Sequence, residues 1–331
     1  MFPSCLSKAN RMNASFQSVA LETVDESFDG FSISWPDRSP RLERSIRAVG
    51  LLQPPLVIER QGRYIAVCGL RRIRTLKRLG AVEAACRLLR DAALGDEELL
   101  VLNAEDNHTT REVSLFEKAR LVGHINRLSP EGGERVWRRL ASSVLAETGR
   151  TERERLLRLD ALPEVVKAFA AGRRLPPRHA LQLSLFSSRD AVALVELAEE
   201  YSLTAAQTGE LAESLREIIA RDQCGFEAAV AKIEKGLVEG ELPAQRVRER
   251  LMERLRGLRF PRWQAARTTV DDCLNRINGT PGVTVRPPPN FEGGVFRAEV
   301  NFRSPEELVQ RARALERFAA SDAARTAFEL L

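Results

Sequence analysis

Ile65-Ala66-Val67-Cys68-Gly69-Leu70-Arg71-Arg72 is the stretch that decides the reading of this 331-residue chain. Its apolar half reads as a strand, Gly69 breaks it, and the adjacent arginines open a helix over 71–79 that Gly80 stops. Glycine lets the backbone turn and lets a ligand come close. The first N–H groups of a helix lack intrahelical acceptors and favour an anion. Two neighbouring guanidinium groups add bidentate phosphate donors. Taken alone, Gly-x-Arg-Arg fits a surface arginine pair after a turn better than a phosphate site, so the flanking sequence has to decide.

Working outward, Leu56–Glu59 and Tyr64–Cys68 are strand-like, and Gln61-Gly62 joins them as a tight hairpin. Upstream, Pro40 opens a helix with Leu42, Ile46 and Val49 on one face, and Gly50 ends it. Phe31-Ser32-Ile33-Ser34-Trp35 alternates and predicts a short strand. Residues 1–27 have no clear period and read as a loose tail. Downstream, Ala85–Leu89 predicts another strand, and the α/β unit closes near residue 91. Helical patterns fill about 94–235. They include Glu97–Glu105, a capping box at Ser114-Leu115-Phe116-Glu117, and helices near 134–146, 151–160 and 163–171. Further helices are predicted near 189–200, 204–221 and 226–235, and Pro130-Glu131-Gly132-Gly133 reads as a loop. From Glu241 the chain is helical to about Asn275 with a break at Pro261. Strands follow at Val283–Val285 and Val295–Phe302, joined by a loop from Pro287, and Ser304-Pro305-Glu306-Glu307 starts a last helix. The expected fold class is therefore α+β and multidomain. A small α/β domain (28–128) precedes an all-α middle domain (129–240) and an α-β-β-α C-terminal module (241–331).

Composition narrows the function. The chain is 44% hydrophobic and 29% charged, which excludes a wholly disordered protein. No apolar run approaches the ~20 residues that span a bilayer, and residues 1–16 lack the apolar core of a secretory signal. Five scattered cysteines without a CxxC pair argue against a disulfide framework or a structural zinc site, so a cytoplasmic location is expected. The net charge is +5, but it is unevenly placed. Residues 71–90 carry seven Lys/Arg against one Glu, 134–178 eleven against six acids, and 246–267 eight Arg against two Glu. Such clusters fit a polyanion, although any one of them could be a solvated face.

Three boxes occur in order: Ser45-Ile46 through Gly50 to Gln53-Pro54-Pro55-Leu56-Val57, then Gly69-Leu70-Arg71-Arg72, then Asp106-Asn107 through Arg111 to Ser114 and Glu117-Lys118-Ala119. Together they resemble the N-terminal domain of the ParB family of DNA-partition proteins, a ParB/sulfiredoxin-like fold. Leu157-Arg158-Leu159-Asp160-Ala161-Leu162-Pro163, with Gly172 and His179-Ala180, resembles the family segment that contains a helix-turn-helix. There the helix near 134–146 would come first, Thr148-Gly149-Arg150 would be the turn, and the next helix would enter the major groove of double-stranded DNA with Arg150, Arg153, Arg155 and Arg158. An ordinary helical bundle with exposed arginines is the competing reading of that segment.

The resemblance implies a CTP-gated DNA clamp that closes as a homodimer, associates with the nucleoid and works with a partition ATPase in chromosome or plasmid segregation. Gly69, Arg71 and Arg72 would cradle the triphosphate, Gln53 and Arg111 would line the nucleotide pocket, and Asp106 and Asn107 would hold Mg2+. Weak CTP hydrolysis would accompany this. The sequence departs from the family pattern at Asp106, where glutamate is usual, at Leu70, where a polar residue is usual, and in the Asn107-to-Arg111 spacing, which is one residue longer. These departures keep open a ParB-fold transcriptional regulator or adaptor without active nucleotide chemistry. A nuclease would need more carboxylates than Glu105 and Asp106. A sulfiredoxin-type reductase would need a cysteine where Leu70 stands.

Overall fold

The computed structural model describes residues 14–90, 94–145, 149–235, 243–288 and 295–330. The first thirteen residues of the expected tail, the turn residue Thr148, the loop residues 289–294 and the third region's start at Glu241 lie outside them. The fold is mixed α+β with two compact units. One runs to Glu200 and adds Thr204–Gly209; the other holds Tyr201–Leu203 and the chain from Glu210 onward. The division between them falls near residue 205, within the expected middle region 129–240.

In the first unit, strands β1 (Ala14–Ala20), β2 (Leu56–Arg60), β3 (Arg63–Cys68) and β4 (Glu83–Leu89) form a sheet in the order β1-β4-β2-β3. β2 and β3 form the expected hairpin, with positive φ at both Gln61 (51°) and Gly62 (73°), as a two-residue hairpin turn needs. β4 lies parallel to β2 and antiparallel to β1. Helices α1 (Pro40–Val49) and α2 (Leu70–Arg78) add Ile46, Ile73 and Leu76 to a core with Val19, Val57, Ala66 and Cys86. Burying a side chain such as Ile73 contributes about 1.5–3 kcal/mol. Val49, expected on the inner face of α1, is instead 60% exposed in its last turn.

Two expectations are corrected here. Residues 14–20 are not a loose tail but the edge strand β1, paired from Ala14 opposite Leu89 to Ala20 opposite Glu83. Phe16 is exposed and Val19 is the one buried residue of this strand, so backbone pairing holds it and no apolar period announces it. Phe31–Trp35 is not a strand. Phe31, Ile33 and Trp35 are buried, as the alternation predicts. Their backbone, however, is met by side chains: Ile33 N–H donates to Asn103 Oδ1 (3.3 Å) and Trp35 N–H to Glu117 Oε1 (3.0 Å).

Helices α3 (Asp96–Thr110), α4 (Leu115–Arg127), α5 (Pro130–Ala141), α6 (Arg150–Asp160), α7 (Glu164–Gly172), α8 (Pro177–Leu183) and α9 (Ser188–Glu200) complete this unit, with the start of α10 (Ala205–Asp222). The expected loop at 130–133 is the first turn of α5, capped by Ser129 Oγ, which accepts from Gly132 N–H at 3.1 Å. Its glycines are needed for close packing, since a Cβ on Gly133 would sit 2.8 Å from the Ile125 carbonyl of α4. In the second unit, α11 (Phe226–Glu234), α12 (Ala244–Arg259) and α13 (Pro261–Asn278) precede a hairpin of β5 (Val283–Arg286) and β6 (Arg297–Val300). Helices α14 (Pro305–Ala319) and α15 (Asp322–Glu329) follow, and Val270, Leu274, Ile277, Val283, Val285 and Ala327 form one apolar cluster there. The α-β-β-α order is present, with α15 as an addition.

Candidate functional site

The strand–glycine–helix junction is built as its residues dictate. Gly69 caps α2 with φ +89° and ψ 24°, a left-handed conformation that L side chains rarely adopt. A Cβ there would also lie 2.8 Å from Nε of Arg72, whose guanidinium folds back over the glycine. Helix α2 carries no acidic residue in its first turn, so the positive end of its dipole is not offset from within the helix.

The two arginines part at this point. Arg72 Nη1 donates to the Gln53 carbonyl (2.5 Å), and its charge is attracted by Asp106 and lies near Cys68. Gln53 therefore contributes its backbone, and its side chain is exposed. Arg71 turns the other way, onto Glu117 Oε1 of α4 (3.1 Å). Burial lowers the pKa of both guanidinium groups, and Glu117 and Asp106 respectively oppose that shift.

Helix α3 supplies the opposing wall. It runs past the expected end at 105, helped by Thr110 Oγ1 donating back to the Asp106 carbonyl (2.8 Å). Asp106 and Asn107 are thus helical neighbours on two sides of the α2 start. Asp106 lies beside Cys68 and Arg72. Asn107 Oδ1 accepts from Arg111 Nη2 (2.6 Å), and Asn107 Nδ2 donates to the Asn103 carbonyl (2.8 Å). The longer Asn107-to-Arg111 spacing is one helical turn, which is why the two side chains meet.

Arg111 then completes a cluster that the sequence does not announce. Its Nη1 and Nη2 reach Glu117 Oε2 (2.6 Å) and Oε1 (2.7 Å). Glu117 is 1% exposed and also accepts from the backbone N–H groups of Trp35 and Ser114, both at 3.0 Å. Burial alone would raise its pKa; the hydrogen bonds from Arg111, Trp35 and Ser114 outweigh burial and hold the carboxyl below the usual carboxylate range. Its capping role was readable from Ser114-x-x-Glu117, but its two arginine partners were not. Asn103 is the second residue missed: it is 2% exposed, and its Nδ2 donates to the Val67 carbonyl (2.6 Å), tying α3 to β3. One signal existed, its position four residues before Asn107 on the same helix face.

Burial first, then Asp106, pushes the Cys68 thiol up to about 12, so it stays protonated and is a poor nucleophile. Among the described residues no group of three or more His, Cys, Asp or Glu could hold a metal ion alone. Asp106 is the carboxylate at the α2 start, a donor set that suits a cation sharing its coordination with a bound phosphate.

The four expected DNA-contacting arginines of α6 are not equally exposed. Leu156 and Leu159 are buried, while Arg150, Arg155 and Arg158 are exposed. Arg150 pairs with Glu154 (3.1 Å) and Arg155 with Glu152 (3.4 Å). Arg153 is half-buried, its guanidinium 5.4 Å from the Trp137 ring centroid and 3.9 Å from Glu134 Oε2. In the second unit, the basic run 246–267 is largely offset locally. Arg256 pairs with Glu210, Arg259 with Glu213 and Glu217, and Arg267 with Glu253 and Asp271.

Residues 12–101 match the family described as the ParB N-terminal domain. No protein of curated function matches the chain. Among solved structures, the chain is similar to the C-terminally truncated chromosome-partitioning protein ParB from Caulobacter crescentus complexed to the centromeric parS site. That likeness has 24% identity and a TM-score of 0.32, and covers 60% of this chain and 98% of that one. The same truncated protein complexed with CTP-gamma-S matches at 24% identity and a TM-score of 0.24, over 55% of this chain and 98% of that one. A Pnob8-like ParB-N domain matches at 16% identity and a TM-score of 0.34, over 73% and 98%.

Proposed function

We propose, from the match of residues 12–101 to the ParB N-terminal domain family, that the chain is a DNA-binding protein of the partition type that takes CTP with Mg2+ at the start of α2. The observation that carries the nucleotide reading is the convergence at one helix N-terminus of Gly69, Arg71 and Arg72 with Asp106 and Asn107 from α3 and Arg111 that caps it. Backbone N–H groups and Arg72 would meet the phosphates, and Gly69 leaves them room. Asp106 would be the protein's carboxylate on a phosphate-bound Mg2+, which supplies charge neutralisation there. Asn107 would join it by giving up one of the two bonds its Oδ1 accepts, from Arg111 or from Ser34.

In the same proposal, α5 and α6 form the helix-turn-helix, and Arg150, Arg155 and Arg158 face the DNA as a homodimer reads two half-sites. The ligand site and this helix pair both belong to the first compact unit. Association with the nucleoid and with a partition ATPase completes the proposal. Among the described residues no helix is long and apolar enough to cross a membrane.

The second reading is a ParB-fold regulator or adaptor with no nucleotide chemistry. The pairing of Arg71 and Arg111 with Glu117 favours it, because both cations already have a partner. Calorimetric titration of CTP with Mg2+ separates the two, run on the native chain and on Arg71→Ala/Arg72→Ala, with ATP and GTP as controls. Selective CTP binding that the double variant loses supports the nucleotide reading. Absence of binding, with and without DNA, leaves the regulator.

A further inference from the structure

Glu117 is in contact with two guanidinium groups at the candidate site, those of Arg71 and Arg111, and it is almost fully buried. Both arginines reach outward from it: the Arg71 side chain keeps 19% of its surface exposed and that of Arg111 33%. The carboxylate lies behind, its oxygens filled by Arg71, Arg111, Trp35 N–H and Ser114 N–H. Two cations against one anion leave a residual positive charge on the exposed side. An anion arriving there meets guanidinium donors whose field Glu117 partly cancels.

We propose that Glu117 is a built-in counter-anion that tunes the site, lowering the affinity of Arg71 and Arg111 for a phosphate chain and competing with it for their donors. This rests on the triphosphate reading above. A buried carboxylate that only caps α4 could be replaced by Gln, which caps equally well, with no effect on anion binding. A counter-anion behaves differently, because removing its charge tightens anion binding.

The test titrates inorganic triphosphate and CTP into the full chain, comparing the native protein with Glu117→Gln. The gain expected for Glu117→Gln is about fivefold in affinity for inorganic triphosphate, the size of one partly exposed ion pair. That gain should vanish in Arg71→Ala/Glu117→Gln. Unchanged or weaker binding by a Glu117→Gln protein with native circular dichroism overturns the proposal. If Glu117→Gln does not fold, Arg111→Gln/Glu117→Gln is compared with Arg111→Gln, and it should bind inorganic triphosphate more tightly than that single variant; unchanged or weaker binding overturns the proposal. Failure of both to fold makes Glu117 a structural core group and also overturns it. CTP binding by the native chain that Arg71→Ala/Arg72→Ala abolishes, without the Glu117→Gln gain, sinks the counter-anion and leaves the nucleotide reading standing. No triphosphate or CTP binding by any variant sinks both.

Discussion

Gly69→Ala separates backbone strain from side-chain displacement at the site. The substitution forces a Cβ onto φ +89° and to within 2.8–2.9 Å of the Arg72 guanidinium. A left-handed non-glycine residue costs about 1–2 kcal/mol. The guanidinium is the far end of a flexible side chain, so it moves, but it gives up its 2.5 Å bond to the Gln53 carbonyl and its place beside Asp106. That loss adds about 0.5–1.5 kcal/mol for a half-exposed charged hydrogen bond. The sum, about 2–3 kcal/mol, corresponds to a fall in Tm of roughly 5–10 °C for a unit of this size. Thermal unfolding by circular dichroism measures it in two backgrounds. In the native chain both contributions appear; in Arg72→Ala only the backbone strain remains, so Gly69→Ala should cost less there. Equal costs in the two backgrounds would refute the steric link between Gly69 and Arg72. No cost in either would refute the strained cap as well.

Two further predictions follow from burial and exposure. Burial first, then Arg127, holds the His124 imidazole down at about 4, so the folded chain keeps it neutral while the unfolded chain protonates it near 6.5. Stability should therefore fall as pH drops from about 6.5 towards 4, by up to about 3 kcal/mol, and denaturant titrations of His124→Gln should show a shallower slope in that window. On α6, Arg158→Ala should weaken DNA binding and reduce the salt slope by about one, whereas Arg153→Ala should leave that slope unchanged and lower Tm, because Arg153 packs on Trp137. Fluorescence anisotropy across a salt series reads both.

Much of the fold was legible where it depends on local chemistry. The hairpin at Gln61-Gly62 follows from turn geometry, the start of α4 from a capping box, and the break at Pro261 from a missing N–H. The extra residue between Asn107 and Arg111 became intelligible only when α3 proved to extend to Thr110, because helix ends fray or persist on the strength of side-chain bonds such as that of Thr110.

What the sequence by itself determined is the punctuated core of the site: a strand, a glycine that must turn, a helix opening on two arginines, and the Asp106-Asn107 pair downstream. Those depend on neighbours within a few residues, which a chain carries with it. Tertiary structure alone decided that Arg71 and Arg72 diverge, that Glu117 holds two arginines, and that residues 14–20 pair as a strand. It also decided that Phe31–Trp35 lies against α3 and α4 instead of joining a sheet. Apart from Arg111 on Glu117, six residues away, these contacts join groups far apart in sequence, 46 residues in the case of Arg71 and Glu117. A buried carboxylate takes whichever cations and N–H groups the folded chain brings to it, because leaving its charge unpaired would cost more than any local preference can repay.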